Sequence, residues 1–198
     1  SDRTFPAFAV CESAVEAVLG DGYMAISDER QHNLSIFRIN ADTRALDVKE
    51  FVQQVDLAPV GESNKGFEGL AWDARNQRLL LGNEKNPLAL YELPSDGRKI
   101  TGKLRELASL GSLMTDLSGL TVDPKSGHIL ALSQESHLLV ELAADYRPLN
   151  FIALLRGLHG LEHFIPQAEG VALDVAGNLY IVSERNLFYV FHKQPLAD

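Results

Sequence analysis

Four pairs of polar side chains, each 15 or 16 residues apart, hold most of the chemistry this chain could do. They are Glu12 with Asp28, Glu68 with Glu84, Ser118 with Gln134, and Glu169 with Glu184. Three of the four pairs are double carboxylates. Carboxylates gathered in a partly enclosed place repel one another and raise some of their pKa values, and a bound cation removes that cost. Oxygen donors without His or Cys favour Ca²⁺ or Mg²⁺ over zinc. The expected cofactor is therefore a hard divalent cation, Ca²⁺ or Mg²⁺, with Glu68 and Glu169 as leading ligands. Glu84, Glu184, Glu12 and Asp28 rank second, and Ser118 and Gln134 could add neutral oxygens. The competing reading is that these acids only cap strands by accepting backbone N–H groups.

The pairs recur because the sequence does. Phe67-Glu68-Gly69-Leu70-Ala71-Trp72-Asp73, Leu117-Ser118-Gly119-Leu120-Thr121-Val122-Asp123 and Ala168-Glu169-Gly170-Val171-Ala172-Leu173-Asp174 superimpose at spacings of 50 and 51 residues. Each segment runs through a polar turn into a second apolar run ending at Glu84, Gln134 or Glu184. A third run follows at 88–93, 138–142 and 187–192. A fainter copy upstream joins 23–29 to 34–39. Counting back 16 residues from Asp28 reaches Glu12, so repeats start at 12, 68, 118 and 169.

Short apolar runs separated by turn residues read as strands. Fourth strands are expected at 46–55, 104–107 and 151–155. Asp73, Asp123 and Asp174 open the turns and read as Asx-type anchors. Four strands every ~50 residues with no amphipathic helix between them predict an all-β fold, a β-propeller of antiparallel blades. A β-sandwich is the alternative, but it leaves an in-phase repeat unexplained. In a blade the first strand lines the channel and the second runs back beside it. Each polar pair then returns to one face near the channel mouth. Strand one of each unit, near 12–16, 68–73, 118–123 and 169–174, is expected innermost.

The rest of the composition narrows the partners. Lys plus Arg total 18 against 27 Asp plus Glu, a net charge of −9 over 198 residues. An acidic chain without a basic cluster is a poor partner for nucleic acid or anionic lipid. No apolar run approaches the ~20 residues of a membrane span. The chain starts without Met and without a signal peptide, as in a mature form or a piece of a longer protein. The single Cys11 rules out an internal disulfide and reads as buried packing. His159 and His163 have a zinc-like spacing only on a helix, which Gly160 weakens, so they read as loop histidines. Asn33-Leu34-Ser35 is a glycosylation sequon by pattern alone. Trp72, Phe188, Tyr189 and Phe191 are expected in the core.

Gly66-Phe67-Glu68-Gly69-Leu70-Ala71, Lys85-Asn86-Pro87, Asp116-Leu117-Ser118-Gly119, Gln167-Ala168-Glu169-Gly170-Val171-Ala172 and 181–189 together resemble the SdiA-regulated, YjiK-like family, and Ile26-Ser27-Asp28-Glu29-Arg30 fits too. The resemblance covers nearly the whole chain. It implies a five-bladed, calcium-binding β-propeller related to NHL-repeat propellers, in an extracytoplasmic (periplasmic) bacterial domain. Any membrane attachment would run through an anchor absent from this chain. The family has no established activity. Glu68 and Glu169 fall in its Glu-Gly-hydrophobic motif, and Glu84 and Glu184 at its strand-two ends. Ser118 and Gln134 depart from the double-carboxylate pattern, which points to an asymmetric site.

Two functions follow as expectations. The first is a binding module that docks a small molecule or protein at the channel mouth. The second is a metal-dependent hydrolase of lactonase, esterase or phosphoesterase type, by analogy of fold alone. The sequence offers no distinctive general base, which favours the first. The 198 residues are read as one propeller domain lacking most of an N-terminal blade. An open arc is expected. The alternative is a four-bladed ring closed by pairing 4–8 with 187–192.

Overall fold

Turn chemistry sets the strand rhythm. The Asp73 carboxylate accepts the Asn76 N–H at 3.2 Å and the Asn76 amide at 2.7 Å. Asp123 accepts the Lys125 N–H at 2.9 Å and the Ser126 hydroxyl at 2.7 Å. Asp174 accepts the Asn178 N–H and the Asn178 amide, each at 2.8 Å. All three act as the expected turn anchors and send the chain straight back on itself. The computed structural model describes residues 14–29, 31–46, 51–57, 66–184 and 186–193. Among them no helix forms.

The strands make four antiparallel sheets in sequence order. Blade 1 holds β1 (Ala14–Gly20), β2 (Tyr23–Asp28), β3 (Asn33–Arg38) and β4 (Gln53–Asp56). Blade 2 holds β5 (Phe67–Asp73), β6 (Arg78–Asn83), β7 (Ala89–Pro94) and β8 (Arg105–Ser109). Blade 3 holds β9 (Gly119–Val122), β10 (Ile129–Ser133), β11 (Leu138–Leu142) and β12 (Pro148–Ala153). Among the described residues blade 4 has three strands, β13 (Ala168–Leu173), β14 (Leu179–Ser183) and β15 (Leu187–Phe191). The fold is a β-propeller of four blades, as the repeat predicts. The first strands of successive blades pack side by side, β1 on β5, β5 on β9 and β9 on β13. Among the described residues no comparable packing joins β13 to β1. The possible pairing of residues 4–8 with 187–192 lies outside the described residues, as do Cys11 and Glu12.

Three apolar layers hold the blades together. Ala25 and Ile36 of blade 1 meet Leu79 and Leu81 of blade 2. Leu80 and Leu90 of blade 2 meet Leu120 and Ala131 of blade 3. Leu132 and Leu139 of blade 3 meet Leu179 and Ile181 of blade 4. Alternation along each strand feeds both sides, so an inner blade is apolar on both faces. Among the described residues, blade 4 is covered on one face only. Tyr189 and Phe191 pack into the third layer as expected, whereas Phe188 is 63% exposed. Its strand reads as core, but its face meets no further blade among the described residues.

Candidate functional site

Glu68 and Glu169 owe their positions to a backbone irregularity. In blade 2, Phe67 pairs with Asn83 and Gly69 with Gly82, leaving Glu68 as the extra residue of a bulge. In blade 4, Ala168 pairs with Ser183 and Gly170 with Val182, leaving Glu169 in the same place. A bulge re-aims the extra side chain out of the pleat. In blades 2 and 3 the taper of the ring requires glycine at the next position. A Cβ on Gly69 would lie 2.6 Å from Leu117 Cδ2 and 2.9 Å from Leu120 Cβ of blade 3. A Cβ on Gly119 would lie 3.4 Å from the Gly170 Cα of blade 4. Gly69 and Gly119 thus let neighbouring first strands close in.

The ends of the second strands are pinned one residue earlier. Ser27, Asn83, Ser133 and Ser183 hold the position before each partner residue, and all four are buried. The Asn83 amide donates to the Lys85 and Pro87 carbonyls at 2.8 and 2.7 Å. The Ser133 hydroxyl donates to Asp116, and the Ser183 hydroxyl to the Pro166 carbonyl. These bonds fix where the next side chain leaves the sheet. Sequence spacing had not singled out this position.

Asp116 is the acid that spacing missed. It is buried, and its carboxylate accepts the Glu135 N–H at 3.0 Å besides the Ser133 hydroxyl. Burial pushes the half-buried Glu169 carboxyl up, and the nearby charges of Glu184, Asp116 and Glu84 push it further. Four carboxylates from blades 2, 3 and 4 therefore share one field at the mouth. Glu184 also accepts a hydrogen bond from the Gln167 amide. Lys85 stands at the rim, ion-paired to Glu135 with its Nζ 3.9 Å from Glu84 Oε1. The hydrogen bond to Glu135 raises its pKa despite the cost of burial, and the Glu84 and Asp116 charges add to the rise.

The remaining expected ligands are placed differently. Ser118 is buried and donates its hydroxyl to the Ala168 carbonyl at 2.6 Å. Asp28 ends β2 opposite Ala14, and its carboxylate accepts the Gln31 N–H at 2.9 Å. The acid of blade 1 that reaches across is its neighbour Glu29, whose Oε1 accepts the Gly66 N–H of blade 2 at 3.0 Å. Among the described residues, no three His, Cys, Asp or Glu side chains converge closely enough to hold a metal ion. The donor set fits a hard cation in charge and in atom type. It would have to draw inward to coordinate one.

A family model described as SdiA-regulated matches residues 11–192. The chain belongs to the SdiA-regulated family. Solved structures share its fold at low identity. Regucalcin from Agrobacterium tumefaciens, a calcium-binding protein, is 14% identical with a TM-score of 0.57, over 88% of this chain and 53% of its own. A chain of the nidogen/laminin complex is 15% identical with a TM-score of 0.56, over 90% of this chain and 62% of its own. Hydrazine synthase from Kuenenia stuttgartiensis is 9% identical with a TM-score of 0.53, over 85% of this chain and 41% of its own. At these identities the likeness is one of fold. This SdiA-regulated propeller spans less than two thirds of the length of each of these proteins.

Proposed function

We propose that this propeller is an extracytoplasmic binding module that docks a small molecule or protein at its channel mouth, with Ca²⁺ held among the mouth carboxylates. The observation that carries the reading is Glu169, whose carboxyl is pushed up by burial and then by Glu184, Asp116 and Glu84. A mouth that concentrates like charges on a half-buried acid is stabilised by a hard cation. Glu169, Glu84, Glu184 and Asp116 would hold the ion, with Glu68 turned toward the same mouth by its bulge. A bound Ca²⁺ would supply charge neutralisation and order the rim. The residues themselves set the entrance. Lys85 neutralises part of the field from the blade 2 side, and Asn83 fixes the loop that carries it. The calcium binding of regucalcin supports the same reading by analogy of fold.

Calorimetric and thermal-shift titration with Ca²⁺ is the test. Stabilisation at millimolar Ca²⁺, lost in Glu169→Gln and weakened in Glu68→Gln, is the expected result. No heat and no shift in the parent chain would leave these acids as strand caps.

A further inference from the structure

A slot of about 180 Å³ opens between blades 3 and 4. Its apolar walls are Leu130, Leu139 and Ile152 of blade 3 and Leu173 and Leu179 of blade 4. Glu141 and Asn150, paired across β11 and β12, line its blade 3 side. Glu141 sits toward the Asp123 turn, at the other end of the blade from Ser133 and the mouth. The repeat shows how the same place is filled one blade earlier. Leu80 pairs with Glu92 there as Leu130 pairs with Glu141. Glu92 is buried and accepts Arg78 Nη1 at 2.8 Å and Arg105 Nε at 2.9 Å. Arg78 donates from Nε to Asp73 and from Nη1 to the Tyr146 hydroxyl, each at 2.9 Å. Tyr146 belongs to the β11–β12 turn of blade 3, and its ring centroid lies 5.9 Å from the guanidinium carbon. A pair of acids, a pair of arginines and a ring thus close the interface between blades 2 and 3.

Between blades 3 and 4 the acids are kept and both arginines are gone. Asp123 and Glu141 hold the places of Asp73 and Glu92. His128 holds the place of Arg78, with Nδ1 2.7 Å from Glu141 Oε1, and is a cation only when protonated. Asn150 stands opposite Glu141 where Arg105 stands opposite Glu92. Its amide oxygen accepts the Phe151 N–H at 2.9 Å, so it offers Glu141 no charge. Among the described residues no ring of blade 4 lines the slot as Tyr146 covers Arg78. Lys193 lies beside Gly177 on the blade 4 side and makes no ion pair among the described residues. The slot is therefore open where a ring and a cation stand one blade earlier. A carboxylate beside an apolar cavity is favoured by a cation that pairs with it there.

We infer that this slot is a second binding site, separate from the mouth, for a small aromatic cation. The ring takes the place that Tyr146 fills between blades 2 and 3. An amidinium, guanidinium or ammonium group on it takes the place of Arg105, against Glu141. An apolar cavity of about 150 Å³ holds one benzene ring, so the volume suits a single ring. A planar amidinium matches a carboxylate through two parallel N–H···O bonds, as an arginine does. Phe151, which lines the slot and is 64% exposed, is placed to lie over the bound ring. The net charge of −9 draws a cation rather than an anion to the surface.

Titration of the full chain with benzamidine, followed by backbone amide NMR shifts, tests the site. Neutral benzamide, of the same shape, is the control. Saturable shifts are expected in β11, β12 and the turn holding Gly177, with benzamide about tenfold weaker for want of the charged pair. Glu141→Gln is expected to weaken benzamidine about tenfold and bring the two probes level. Asn150→Arg supplies the chain's own guanidinium opposite Glu141. It is expected to weaken benzamidine by a similar factor without lowering the melting temperature. Four results would overturn the proposal. The first is no saturable shift, and the second is shifts gathered at the mouth instead. The third is benzamide binding as tightly as benzamidine. The last is a benzamidine affinity that neither variant changes.

Discussion

Ser118, the residue before β9, donates its hydroxyl to the Ala168 carbonyl of β13 at 2.6 Å, across the boundary between blades 3 and 4. The bond is buried and links the two first strands beside the mouth. It gives blade 3 a stitch where blades 2 and 4 carry a glutamate. Ser118→Ala leaves a buried carbonyl without its partner, which costs about 1–3 kcal/mol. Denaturant unfolding is expected to show that loss, while any calcium response stays close to that of the parent.

The glycines after the bulged acids separate close packing from open space. Gly69→Ala drives a Cβ to 2.6 Å from Leu117 Cδ2 and 2.9 Å from Leu120 Cβ, in a layer where Leu117 is fully buried. Overpacking of this kind costs about 1–3 kcal/mol. Gly170→Ala meets only Val182 Cγ2, at 2.6 Å, and Val182 is free to turn because its face is exposed. Equilibrium unfolding of the two variants is expected to put Gly69→Ala clearly below Gly170→Ala.

The fold was legible because one signal is global. A period of about 50 residues fixed equivalent strands and turns at once, and Asp73, Asp123 and Asp174 anchor their turns as read. The mouth was legible only in part. Glu169 and Glu184 come together because the pair spacing matches an antiparallel return. Asp116 was missed because it precedes the strand in a loop, and its role comes from Ser133 and the Glu135 N–H, which no spacing rule reports. Glu29 rather than Asp28 reaches blade 2, because the Asp28 carboxylate is engaged in its own turn by the Gln31 N–H while Glu29 accepts the Gly66 N–H. Phe188 misled because strand composition records that a face is apolar, not what covers it.

Asp174 sets an acid limit on blade 4. The Asn178 amide holds its carboxyl down to about 2, with further help from backbone N–H groups and the Tyr180 hydroxyl. A carboxylate depressed in the folded state adds stability that is present above its unfolded value and lost as pH falls through the folded one. Blade 4 is therefore expected to lose stability between about pH 4 and pH 2. Asp174→Asn should flatten that part of a melting-temperature profile. An unchanged profile in the variant would assign the acid sensitivity elsewhere.

Glu169 carries the opposite sign. Burial raises its folded pKa above the unfolded value, and the Glu184, Asp116 and Glu84 charges raise it further. Between those two values the folded state binds more protons than the unfolded one, so stability falls as pH rises through that window. Above it the full penalty stands, and below the unfolded value of about 4.5 none remains. Glu169→Gln removes the charge outright. The variant is expected to melt higher than the parent at neutral pH without calcium, and level with it at pH 4. Calcium should then invert the order at neutral pH, because the ion rewards the carboxylate that the apo protein tolerates poorly. Melting curves at two pH values, with and without millimolar Ca²⁺, read all four conditions. A variant that melts lower than the parent at neutral pH without calcium would mean that the Glu169 carboxylate is held by the fold rather than strained by it.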